Sequence, residues 1–105
     1  MNDERVLQKL EEIAQWLKLQ NRSLVKALLE EVLDSDRDKL IYHLSDGERS
    51  STDIAREVGV SQPTVSNLWR RWRRLGIVLE RPDIPGRVRK LCGLEELDID
   101  VLRTF

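Results

Sequence analysis

The chain has 105 residues, 35% of them charged, and a formal net charge of −1. That length suits one compact domain with room for one further element, and excludes neither a real core nor long solvated helices. No apolar run approaches the ~20 residues needed to span a bilayer, and the acidic opening MNDERVLQKL is not a secretion signal, so a cytoplasmic protein without membrane contact is expected.

Residues 3–20 carry Val6, Leu10, Ile13 and Leu17 at steps of four, three and four, with Leu7 and Ala14 widening the stripe. This is the period of an amphipathic helix, and Asp3 and Glu4 suit its first turn. Asn21-Arg22-Ser23 predicts a break. A second helix follows with Leu24, Val25, Leu28, Leu29, Val32 and Leu33, and Asp34-Ser35-Asp36 offers caps for a third that carries Leu40, Ile41 and Leu44. That helix is expected to stop at Asp46-Gly47. Ser50-x-x-Asp53 resembles a capping box opening a short helix over about 51–58, closed by Gly59. Ser61 caps the next, with Pro63 in its first turn and Gly76 past its end. Residues 77–81 and 87–92 read as two strands of a hairpin, with Pro85-Gly86 in a five-residue tip. The tail GLEELDIDVLRTF holds enough apolar residues to fold back on the body.

Charge is distributed unevenly along these elements. Residues 1–48 hold seven basic and eleven acidic side chains, residues 49–92 ten and four, and residues 93–105 one and four. A basic middle between acidic ends is the footprint expected of a polyanion-binding segment. One cysteine, Cys92, and one histidine, His43, supply neither an internal disulfide nor a four-ligand zinc site. Cys92 reads as a buried small hydrophobe and His43 as a surface or partly buried polar residue. No metal, cofactor or catalytic constellation is expected, and an enzyme is the least favoured class.

Two short helices joined by Gly59-Val60-Ser61 are the centre of a helix-turn-helix. Ala55 stands where the helices cross and must be small, Gly59 supplies a positive φ, Val60 plugs the turn, and Val65 and Leu68 pack the second helix onto the first. With these residues in place, STDIAREVGVSQPTVSNLWRRWRRLGIV followed by GRVRKL resembles the winged helix-turn-helix of small prokaryotic regulators. It is similar to the arsenical-repressor and multidrug-repressor superfamily, especially its small archaeal DNA-binding members. The DGERS lead-in at Asp46–Ser50 and the LEEL-I tail at Leu94–Ile99 add to the likeness, which covers about residues 36–100. The chain lacks the cysteine and histidine ligands of metal-sensing relatives. The fold implied is mainly α: a winged helix-turn-helix with a three-helix core and a β-hairpin wing, preceded by an N-terminal helical extension. Residues 1–33 would form that extension, which its surplus of apolar positions marks for homodimerisation. Residues 34–105 would form the DNA-binding domain with its short tail.

On a helix over about 61–75, Val65, Leu68, Trp69 and Trp72 share one face, so both tryptophans are expected in the core. Pro63, Asn67, Arg70 and Arg74 fall opposite, flanked by Ser66 on one side and by Thr64 and Arg71 on the other, with Gln62 at the exposed start. A major groove admits such a helix, where Asn and Gln pair with adenine and Arg with guanine. Thr64 and the later arginines suit phosphates. Arg73 lies nearer the apolar stripe and reads as solvated surface. Arg87 and Arg89, in the hairpin 77–92, are candidates for wing contacts to the minor groove or backbone. The expected function is that of a sequence-specific transcriptional regulator bound to double-stranded DNA. The alternative is a winged-helix protein-interaction module within transcription machinery, against which the basic recognition helix argues. The residues name no small-molecule effector.

Overall fold

Thirty residues without glycine or proline form one helix, α1 (Asp3–Val32), in a computed structural model that describes residues 3–102. The break expected at Asn21-Arg22-Ser23 does not occur. Asn21 donates its side-chain N–H to the Leu17 carbonyl at 3.0 Å, so its local hydrogen bonding is satisfied inside the helix. Asn and Ser cost at most about 0.7 kcal/mol each in a helix interior, too little to end one unaided. Chain contacts divide the protein into two units, Met1–Val32 and Leu33–Phe105. No helix among the described residues is long and apolar enough to cross a membrane.

The second unit is built as the caps direct. Ser35 caps α2 (Asp36–Leu44), accepting from the Asp38 N–H at 3.0 Å. Ser50 and Asp53 close a reciprocal capping box at the start of α3 (Ser51–Val58). Ser61 caps α4 (Gln62–Leu75) through the Thr64 N–H, with Pro63 in the first turn. Between α3 and α4, Gly59 adopts φ +85° and donates to the Ala55 carbonyl at 2.9 Å. A residue with a Cβ would be strained in that conformation. Ile54 and Ala55 are the buried residues of α3, which packs on α4.

Strands β1 (Val78–Glu80) and β2 (Val88–Lys90) pair antiparallel, with Val78 opposite Lys90 and Glu80 opposite Val88. The strands are shorter than the sequence suggests, but the Arg81 N–H donates to the Arg87 carbonyl and brackets the five-residue tip as expected. A rung not foreseen from the sequence joins Asp46 to Arg89, supported by Gly47 N–H to Val88 O at 2.9 Å and Lys90 N–H to Ser45 O at 2.8 Å. The wing is therefore stitched to the turn between α2 and α3. Gly47 sits there at φ +83°, where a Cβ would meet Arg81 Cδ at 3.1 Å.

The core of this unit gathers Ile41, Tyr42, Ile54, Val65, Trp72, Val88 and Leu94, all fully buried. Tyr42 and Trp72 meet edge to face with centroids 5.4 Å apart. The Tyr42 hydroxyl donates to the Ile77 carbonyl at 2.7 Å and accepts from the Leu91 N–H at 3.2 Å. Burial first, then the nearby Cys92, pushes its pKa up to about 12, so it stays a neutral joint between α2 and the wing. The tail returns as expected: a 3₁₀ turn (Glu95–Leu97) lets Leu94, Leu97 and Ile99 bury. The end of the tail, Arg103-Thr104-Phe105, lies outside the described residues. Cys92 is only half-buried, less enclosed than its reading as a core residue supposes, and His43 is partly buried.

Candidate nucleic-acid interface

Helix α4 has two chemically distinct faces. Val65, Trp69 and Trp72 are its buried residues, and Leu68 is half-buried beside them. The Trp69 indole N–H donates to Ser45 Oγ at 2.9 Å, and that hydroxyl donates to the Ile41 carbonyl at 2.8 Å. Ser45 thus joins α2 to α4 through its side chain and to β2 through its carbonyl. The tryptophans are structural, as the periodicity predicts.

The opposite face is exposed and basic. Asn67, Arg70, Arg71 and Arg74 stand in solvent, and no hydrogen bond or ion pair ties their side chains among the described residues. Arg73, expected to be ordinary surface, is paired instead: its guanidinium lies 3.3 Å from Glu80. Three arginines and one amide on one helix face suit a polyanion chemically, because a guanidinium can replace a counterion on a phosphate and an amide can meet a base edge.

At the start of α4 the polar residues are engaged with one another. Gln62 Nε2 reaches Ser51 Oγ at 2.8 Å and Ser66 Oγ at 2.5 Å, while Ser61 and Thr64 hydroxyls share a hydrogen bond of 2.7 Å. Gln62 therefore spans from α4 to the first residue of α3. The spacing does not foretell this link, because Ser51 lies eleven positions away and reads as ordinary cap sequence.

The two wing arginines differ. Arg89 is exposed on β2, opposite Leu79. Arg87 is half-buried at the base of the tip, and its Nε donates to the Glu48 carbonyl at 3.2 Å, so it turns back toward the body. Arg81 does more to hold the tip than its sequence context suggests. It forms a two-pronged pair with Asp83, reaches Glu48 at 2.7 Å and donates to the Gly47 carbonyl at 3.2 Å. The hydrogen bond from Arg81 holds the Asp83 carboxyl below the usual carboxylate range. At the root of the wing, burial would raise the Asp46 carboxyl. The Arg49 and Glu48 N–H groups and the Arg49 charge outweigh it, and the pKa falls below its ordinary value. Among the described residues, no group of three His, Cys, Asp or Glu side chains is placed to hold a metal ion.

Residues 34–79 match the family model described as bacterial regulatory protein, arsR family. The match begins ahead of α2 and runs through α3, the turn and α4 into β1. No curated protein and no solved structure matches the chain.

Proposed function

We propose that the chain is a DNA-binding transcriptional regulator of the arsR kind, as the match over residues 34–79 supports, and that it reads a specific double-stranded sequence through α4. The observation that carries this reading is the division of α4 into a buried face of Val65, Trp69 and Trp72 and an exposed face of unpaired Asn67, Arg70, Arg71 and Arg74. The exposed face enters the major groove. Asn67 and Arg70 meet base edges, an adenine and a guanine respectively, while Arg71, Arg74 and Thr64 hold phosphates. Gln62 and Ser66, linked to each other and to Ser51, face the same groove from the helix start. Arg89 lies along the backbone beside the groove as the wing's contact, with Arg87 behind it.

The protein acts as a homodimer, and α1 makes the contact. Its stripe of Val6, Leu10, Ile13 and Leu17 stands 42% to 58% exposed, a cost to a monomer that a helix–helix seam removes. The operator then holds two half-sites about 34 Å apart, or a multiple of that.

Titration of the selected operator and of a random duplex tests the reading. Asn67→Ala should leave folding intact and cost about 1–3 kcal/mol on the operator, with a smaller loss on random DNA. Arg71→Ala should weaken both alike. An equal loss from Asn67→Ala on every sequence would remove it from base reading. Binding that ignores salt, or no binding at all, would return the protein-interaction reading.

A further inference from the structure

We propose that Ser51, which lies outside the recognition helix, is a positioning residue that decides which atom of Gln62 meets a base. Held by it, Gln62 is an acceptor only, and reads the exocyclic amino group of cytosine or adenine. This rests on the DNA-reading role of α4 proposed above and specifies the chemistry of one position in its target. A primary amide carries two N–H donors and one acceptor oxygen. Gln62 Nε2 lies 2.8 Å from Ser51 Oγ and 2.5 Å from Ser66 Oγ, so both N–H groups are engaged within the protein. Ser66 stands one turn along α4, on the same face. Ser51 is the first residue of α3 and closes the grip from a second element. Gln62 is exposed, and its Oε1 has no hydrogen-bond partner among the described residues.

An unrestrained glutamine offers adenine a donor and an acceptor together, the pairing that singles adenine out. With both N–H groups held, that pairing is closed and one acceptor remains. In the major groove the donors are cytosine N4 and adenine N6, while guanine and thymine present acceptors and, for thymine, a methyl group. Gln62 therefore accepts cytosine or adenine on the strand it faces and rejects guanine and thymine. This departs from the adenine pairing that the residue type alone suggests. The amide is also ordered before DNA arrives, so docking costs it less conformational freedom.

The experiment titrates the full chain against the selected operator with each base pair changed in turn to the other three. The position read by Gln62 is the one whose preference Gln62→Ala removes. There the parent should bind cytosine and adenine alike, and guanine and thymine about fivefold more weakly, the scale of a single base-edge contact. Ser51→Ala spares the capping box, whose cap is Ser50, and frees one N–H of Gln62. Adenine then gains a second bond and should bind about fivefold more tightly than cytosine. Ser51→Thr keeps the hydroxyl and should keep the parent profile; thermal melts check that both variants are folded. A loss from Ser51→Ala that falls equally on all four bases, or no change, makes Ser51 merely structural and overturns the proposal while sequence reading by α4 stands. A parent preference for adenine alone, or for guanine or thymine, overturns it likewise, because a free N–H then faces the base. If Gln62→Ala removes no preference, Gln62 reads no base and the proposal falls, with sequence reading left to Asn67→Ala. A parent that binds every duplex alike overturns both readings together.

Discussion

Trp72 is placed to act on binding through the fold alone. It is wholly buried, stacks edge to face on Tyr42, and lies on the α4 face opposite Asn67 and Arg70. Trp72→Ala should cost about 3–5 kcal/mol of stability through the cavity it leaves. Thermal melts should therefore fall sharply, and DNA binding should recover to near the parent value at a temperature low enough to keep the variant folded. A variant that melts normally but fails to bind would place Trp72 in the interface instead. Both tryptophan assignments were legible from spacing alone, since Val65, Trp69 and Trp72 repeat with the helical period. The partners of Trp69 were not. Ser45 lies 24 residues away, in a sequence that reads only as the end of a helix.

At the level of elements, local signals held where a cap or a glycine fixed the backbone. The boundaries of α3 and α4 follow from Ser50, Asp53, Gly59, Ser61 and Gly76, because each satisfies or releases a specific backbone group. The expected break in α1 failed for the complementary reason: polar residues without a Pro or Gly weaken a helix but do not stop it. The Asp46–Arg89 rung escaped the sequence because a single paired position has no periodicity to read. The wing shows the same limit. Arg87 and Arg89 alternate on a strand pattern, yet Arg87 is drawn onto the Glu48 carbonyl by a contact 39 residues distant in sequence. The two should therefore separate on mutation. Arg89→Ala should lower the salt slope of binding by about one on any duplex. Arg87→Ala should change that slope less and should loosen the tip, seen as faster amide exchange at Arg81. Equal slope changes would put both guanidiniums on phosphate.

For the whole molecule, the proposed dimer makes binding strength depend on how many reading units engage one operator. If α1 holds two copies together, Ile13→Glu with Leu17→Glu should yield a monomer at micromolar concentration. Affinity for a two-half-site operator should fall by about 100-fold or more, with affinity for a single half-site unchanged. Sedimentation and titration on the two duplexes check this, and a dimer that survives both charges would place the contact outside the α1 stripe. Within one unit the triple junction at Ser45 has a different consequence. Because α2, α4 and β2 meet there, below the surface, the attitude of α4 is set by residues other than Asn67 and Arg70, which we propose face the groove, while Gln62, bonded to Ser51 at 2.8 Å, belongs to both sets. On that proposal, target preference would drift by exchange of Asn67 or Arg70 while the scaffold stays as it is. A duplicated copy of this chain could acquire a new operator in a few steps, each leaving a folded protein.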